Sequence, residues 1–250
     1  MVSFIQALIL SLVQGITEWF PISSSGHLAL AEHFLGMQNF GFTVYLHFAS
    51  VLAVIILFWK DIINLVVKKQ YKYLLKIAIA VIPVAIIGIW LEEHVKNSFS
   101  NMFFIGVFFI IFGVFAYSTK YAREIKKTPS NADAAQIGIS QVFSLFPGVS
   151  RSGMAVSSGL VLGLKKQEAI KFSFLLAVPL IMGASLFEAR EIALAEISFI
   201  TFITSFTLTL FISLITIKLL IKIIEHNKFY LFGVYNILLG AIVILYSLFG

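Results

Sequence analysis

The feature that most constrains this chain is a polar break that occurs twice in otherwise apolar sequence. Residues Phe20 to His27 read FPISSSGH, and Phe146 to Met154 read FPGVSRSGM. With Gly148 as one inserted residue, Phe, Pro, an aliphatic, Ser, a variable position, Ser and Gly align in order, and Ser24 falls opposite Arg151. Polar, non-helical backbone survives at membrane depth only where it lines a cavity or packs inside protein. Two matching breaks, one in each half, therefore point to a binding site at a repeat interface.

The chain around the breaks is 60% hydrophobic and 12% charged, the composition of a polytopic membrane protein. Six apolar runs are long enough, or nearly so, to span a bilayer: about 42–58, 74–91, 102–118, 169–187, 197–220 and 229–249. Residues 1–36 and 134–164 differ. Each holds a short apolar run, the Ser/Gly/Pro break and a second short run, and no run crosses alone. Both regions are expected to form re-entrant helical hairpins. No secretory signal is expected ahead of the first apolar run. Without cysteine, disulfides, thiolate chemistry and Cys-ligated metals are excluded. The net charge of +6 reads as loop lysines facing cytoplasm and anionic lipid, not as a nucleic-acid surface.

Loop charge predicts orientation. Segments 59–72 (Lys60, Lys68, Lys69, Lys72), 119–128 (Lys120, Arg123, Lys126, Lys127) and 218–228 (Lys218, Lys222, Lys228) read as cytoplasmic. Loops 92–101 and 188–196 are poor in Lys and Arg and read as external. The first hairpin then starts and ends outside and the second inside, and each is followed by three spans. The expected fold is an all-α membrane protein with an inverted-topology repeat. It forms a single membrane domain: repeat 1 at about 1–118, a cytoplasmic linker at about 119–132, and repeat 2 at about 133–250.

Candidate chemistry gathers at the breaks. A charge at membrane depth costs about 3 kcal/mol or more, so Arg151 needs a reason. Its planar guanidinium suits phosphate or carboxylate, and an ion pair with Glu18 would lock the two halves. Glu18 is the only acid in the first 31 residues, and Gln14 precedes it by one helical turn. A buried carboxylate here serves as metal ligand, proton carrier or Arg partner. Ser23, Ser24, Ser25, Ser150 and Ser152 cluster with Gly26, Gly148 and Gly153. After Pro21 and Pro147 the next helical turn begins with free N–H groups, a ready anion site. His27 follows Ser24 by three residues and is a candidate base, acid or nucleophile. His47, inside the first span, is a weaker candidate. His33, His94 and His226 read as interfacial. No phosphate-binding loop, HExxH or acidic calcium loop is present.

QGITEWFPISSSGHL (14–28) together with FPGVSRSG (146–153) resembles the undecaprenyl-diphosphate phosphatase family, the bacitracin-resistance membrane phosphatases. The first segment matches the family's E/Q-x-x-x-E followed by P-x-S-S-S/T-G-H, and the second its P-G-x-S-R-S-G. LHFASVLAVIILFW (46–59) and FSFLLAVPLIMGA (172–184) extend the similarity along the chain. The resemblance implies hydrolysis of a polyprenyl diphosphate to the monophosphate, recycling a lipid carrier for cell-wall or glycan assembly, with the headgroup on the external side of the cell membrane. Gln14, Glu18, Ser24, His27 and Arg151 are the motif-matched residues. Two positions depart from the pattern. Gln14 leaves one carboxylate where two acids would build a stronger metal site, and Ala155 stands where the family usually has Thr.

The expected mechanism has Ser24 attacking phosphorus with His27 as base, or His27 attacking directly. Arg151 would hold charge, and Glu18 would orient His27 or bind Mg²⁺ or Ca²⁺. Gln14, Ser23, Ser25, Gly148, Ser150, Ser152 and Gly153 are expected to contact phosphate. No organic cofactor is expected. The expected partners are the polyprenyl diphosphate lipid, the bilayer and a second copy in a homodimer, without nucleic acid. A lipid transporter is the rival reading, because inverted repeats with broken helices are its usual signature. The type-2 phosphatidic acid phosphatase class needs a His and an Asp soon after its Arg, and residues 152–164 contain neither.

Overall fold

The computed structural model describes residues 2–188 and 197–249. The described residues form α1 (Phe4–Thr17), α2 (Ser24–Phe34), α3 (Phe40–Leu57), α4 (Trp59–Val67), α5 (Tyr71–Ser98), α6 (Met102–Ser118), α7 (Asn131–Val142), α8 (Arg151–Val161), α9 (Lys166–Glu188), α10 (Phe199–Glu225) and α11 (Tyr230–Phe249). Short 3₁₀ turns follow α6 and α7.

Five helices are long and apolar enough to cross a membrane, or six if the bent pair α3 and α4 counts as one. The bend at Phe58 is 69°. The run expected at 42–58 is therefore α3, and the basic segment after it is a separate helix. Residues 92–98, expected as loop, instead continue α5. Pro83 sits inside α5 and Pro179 inside α9 without ending either helix. The segment 188–196 lies, from Ala189 on, outside the described residues. Large apolar side chains such as Ile86, Trp90, Phe211, Leu238 and Ile242 point outward from the long helices, as a lipid-facing surface requires.

Two helical pairs stay short. At 1.5 Å per residue, α1 and α8 are about 21 and 17 Å long, against about 30 Å of hydrocarbon. Each pair returns to its starting end. At the first, Gln6 Nε2 donates to the Leu35 carbonyl 3.3 Å away, joining the start of α1 to the end of α2. At the second, Ile125 and Lys126 N–H groups donate to the Gly163 carbonyl at 2.8 and 2.7 Å, joining the segment before α7 to the end of α8. Lys126 also pairs with Asp133 at 2.7 Å, and Lys166 with Glu124 at 2.9 Å.

Helices α6 and α11 pack antiparallel through small residues, as helices do in lipid. Gly106 meets Gly240 and Gly113 meets Gly233. A Cβ on Gly233 would sit 2.6 Å from the Gly113 carbonyl oxygen, and one on Gly240 2.6 Å from that of Gly106. Backbone at that distance cannot yield without separating the helices. Gly183, by contrast, has nothing within 4 Å of where a methyl group would stand. Gly233→Leu is therefore expected to lower stability by about 1–3 kcal/mol or more through overpacking, read as a shifted unfolding midpoint in detergent, while Gly183→Ala leaves it in place. A wild-type midpoint for Gly233→Leu would contradict this packing.

Candidate active site

Each polar break becomes a helix start with the same capping bond, on different backbone: Ser23 has φ of +67° and Ser150 of −78°. Ser23 caps α2, its Oγ accepting from the Gly26 N–H at 3.3 Å. Ser150 caps α8, its Oγ accepting from the Gly153 N–H at 3.1 Å. Each cap is an alcohol that satisfies a first-turn donor. The hydroxyls Ser23 and Ser25 lie 3.3 Å apart, and Ser150 and Ser152 repeat that distance. The aligned residues Ser24 and Arg151 are both the first residue of their helix.

The two tips touch. Gly148 N–H donates to Ser23 Oγ at 3.0 Å, and Ser152 Oγ donates to the Glu18 carbonyl at 3.2 Å. A Cβ on Gly26 would lie 2.9 Å from Gly148 N. Gly148 has φ of +102° and backbone of α6 within 2.6 Å of its missing Cβ, so glycine alone fits there.

Glu18 sits at the junction, 5% exposed. Its Oε2 accepts from Ser24 Oγ at 2.6 Å and from Gln14 Nε2 at 3.0 Å, with His47 Nε2 at 3.3 Å. Its Oε1 faces Arg151 Nη1 at 3.6 Å. The sequence-predicted pairing of Glu18 with Arg151 is thus present, at a distance longer than a hydrogen bond. Gln14 Nε2 also reaches Ser50 Oγ at 3.2 Å. Gln141 Nε2 donates to the Arg151 carbonyl at 3.1 Å, fixing the start of α8.

A cavity of about 440 Å³ opens beside this cluster. Ser24, Ser25, His47 and Arg151 form its polar end, while Leu28, Val84, Ile89 and Leu180 are among its apolar walls. Ser23, Ser150, Ser152, Gly148 and Gly153 build the frame behind it. His27 lies elsewhere. Its Nδ1 is 2.8 Å from the Ser23 carbonyl oxygen and its Nε2 2.8 Å from the Tyr235 hydroxyl of α11. The expected contact between His27 and Ser24 is not made: the Ser23 carbonyl, one turn back, captures the ring, and the Ser24 hydroxyl goes to Glu18.

The donors for a cation are crowded. Among the described residues, Glu18 is the only carboxylate in contact with Ser24 and Arg151. One of its oxygens serves two hydrogen bonds and His47, and the other faces a guanidinium. Among the described residues no group of three or more His, Asp or Glu side chains could hold a metal. Glu18, with Glu32 on the wall of the cavity beside it, is the acid that would hold Mg²⁺ or Ca²⁺, the remaining oxygens coming from water and phosphate.

His47 is legible in the sequence only as a histidine within a span, and its weight comes from reaching Glu18. Tyr235 and Asn236 carry no sequence signal, because they sit on the last helix inside an unbroken apolar run. Asn236 Nδ2 donates to the Pro21 carbonyl at 2.9 Å.

The model of the family described as bacitracin resistance protein BacA matches residues 7–242. A protein of Methanococcus vannielii named undecaprenyl-diphosphatase is 40% identical over 250 residues, covering 96% of this chain and 98% of its own. Proteins of the same name from Methanosphaera stadtmanae and Bacteroides thetaiotaomicron are 34% and 31% identical, over 99% and 98% of this chain and 99% and 100% of theirs. With the match running from α1 to α11, the chain belongs to the bacitracin resistance protein BacA family.

Proposed function

We propose that this multi-pass membrane protein hydrolyses undecaprenyl diphosphate to the monophosphate and inorganic phosphate. The observation that carries the reading is the Ser24 hydroxyl held 2.6 Å from the buried Glu18 carboxylate, on a cavity that Arg151 also lines. A transporter needs an anion site but no activated hydroxyl, and the relatives' shared name favours hydrolysis.

The chemistry then follows from position. The prenyl chain takes the apolar walls and the diphosphate the polar end. Ser24 Oγ attacks the terminal phosphorus as Glu18 accepts its proton; the O–P bond forms and the anhydride P–O bond breaks. Undecaprenyl monophosphate leaves with the electron pair and takes the proton from Glu18. Glu18 next deprotonates a water that attacks the phosphoserine; the Oγ–P bond breaks, phosphate leaves, and Ser24 Oγ takes the proton back from Glu18. Arg151 and first-turn N–H groups of α2 and α8 hold the transferred oxygens. Any Mg²⁺ or Ca²⁺ would arrive on the diphosphate and offset its charge.

The finer architecture is also part of the proposal: an inverted repeat of two re-entrant hairpins, each followed by three spans, joined by the cytoplasmic linker at about 119–132. Three features support it: both hairpins return to their starting ends, α6 and α11 pack antiparallel at paired glycines, and the capping bond recurs. The cavity is lined by Val95 and Lys96 near the end of α5, the end that loop charge assigns to the exterior. The active site is therefore served from outside.

Ser24→Ala is expected to abolish phosphate release from undecaprenyl diphosphate in detergent, and Glu18→Gln to lower kcat by about 10²–10⁴-fold. Arg151→Lys should cost about 10²–10³-fold despite its charge, because the planar fork is lost. Near-wild-type turnover in any of the three would sink the assigned role. Orientation has its own test, helped by the absence of native cysteine. A membrane-impermeant maleimide should label Ser100→Cys in intact cells and Lys127→Cys only after permeabilisation; the reverse pattern would invert the topology.

A further inference from the structure

His27 stands outside the cavity that holds Ser24 and Arg151, and α11 accounts for its position. The Ser23 carbonyl can only accept, so the His27 nitrogen 2.8 Å from it, Nδ1, carries a proton. In the neutral ring Nε2 then accepts from the Tyr235 hydroxyl at 2.8 Å. The two rings stack 5.8 Å apart at 10°, and Phe109 of α6 closes on the imidazole edge-on at 5.4 Å. The next residue of α11, Asn236, is fully buried and donates to the Pro21 carbonyl. Neighbouring residues of α11 thus hold two carbonyls of one turn: Asn236 holds Pro21 directly, and Tyr235 holds Ser23 through His27.

The turn they hold is unusual. Ser23 has φ of +67°, a region that residues with a Cβ adopt rarely and that persists where surroundings impose it. Ser23 also caps α2, receives the Gly148 N–H, and immediately precedes Ser24. Rotation of the Ser23 peptide would carry Ser24 Oγ away from Glu18. Both ring nitrogens of His27 are engaged in holding this peptide, and neither faces the polar end of the cavity.

We propose that Tyr235, acting through His27, is a positioning residue that locks the Ser23 turn and aims Ser24 at the substrate phosphate. His27 itself passes no proton and takes no phosphoryl group. This rests on the phosphatase reading above. An Asn side chain at position 27 offers an N–H where Nδ1 stands but has no nitrogen able to exchange a proton or accept phosphate. It therefore separates holding from reacting.

The test is the steady-state rate of phosphate release from undecaprenyl diphosphate by the full chain in detergent. Tyr235→Phe is expected to lower kcat about tenfold, the weight of one hydrogen bond, with KM unchanged within about twofold. His27→Ala should lose about 100-fold, His27→Asn should stay within about tenfold of wild type, and the double variant His27→Ala with Tyr235→Phe should match His27→Ala alone. Overturning results are His27→Asn as inactive as His27→Ala, an unchanged kcat in Tyr235→Phe, or additive losses in the double variant. A variant that fails to fold leaves the ring itself to be read in the wild-type protein. With its five histidines ¹⁵N-labelled, the His27 resonances, identified by their loss in His27→Asn or, should that fail, in His27→Gln, should report a neutral ring protonated at Nδ1. A proton on Nε2 alone overturns the proposal. A wild-type protein that releases no phosphate defeats the phosphatase reading instead, while the tautomer still tests the contact.

Discussion

A single buried carboxylate organises this molecule. Glu18 lies at the end of α1, and an ionised group at such depth is tolerated only when partners replace water. Those partners come from four helices: Gln14 on α1, Ser24 on α2, His47 on α3 and Arg151 on α8. Holding the charge therefore fixes how α1 and α2, the start of α8 and the long helix α3 meet. The same set is what phosphoryl transfer asks for: a hydroxyl, an acceptor for its proton, and a cation. Arg151 Nη1 makes no hydrogen bond to protein, and its 3.6 Å separation from Glu18 leaves the guanidinium able to turn toward an arriving phosphate without breaking a tight pair. In the proposed reaction, the groups that offset the buried charge are also those that meet the ligand.

The carboxylate can sit there because the backbone of both tips approaches closely. Gly26 and Gly153 rest on the rings of Phe109 and Phe112, neighbours one turn apart on α6 that leave no room for a Cβ at either glycine. Helix α6 is thus a common floor under both helix starts. It is held in turn by α11 through the Gly106/Gly240 and Gly113/Gly233 contacts, and α11 reaches back to the first tip with Tyr235 and Asn236. Small-residue packing far from the cavity and hydrogen bonding at its edge are parts of one support. That differs from a soluble enzyme, where apolar burial would hold such a floor; between helices in lipid, close packing has to do so.

The sequence is legible where a rule of membrane chemistry is broken and mute where it is obeyed. A Pro-containing Ser/Gly stretch, a charge at Arg151 and an acid at Glu18 all violate what lipid tolerates, so each announces itself and the structure brings them together. The shortness of α1, α2, α7 and α8 follows from the same reasoning. Residues 92–98 look like loop in the sequence because their charges resemble a helix end, whereas the helical hydrogen-bond pattern simply continues past the apolar run. His27 is legible as a polar residue but not as a partner of Tyr235. Spacing to Ser24 suggests a pair along the helix, and nothing in an apolar stretch such as YNILLGAIV marks one tyrosine as the ring that meets it. Contacts between distant apolar helices leave no local trace, and that is where the remaining parts of the site are hidden.

The duplicated break supports a sharper statement about how such a site is made. Ser23 and Ser150 perform the same capping bond, the two second serines lie at the same 3.3 Å from their caps, and both motifs start an 11-residue helix. What differs is the first residue of each helix, Ser24 in one and Arg151 in the other. In both copies that side chain lines the shared cavity. Because the cap bonds involve the flanking Ser and Gly and not this side chain, it can change without disturbing the turn. The turn thus permits a hydroxyl on one copy and a guanidinium on the other while the capping bond is kept, even though the cap backbones differ. Glu18 then belongs between them, since there one carboxylate can hold the proton of the first and offset the charge of the second.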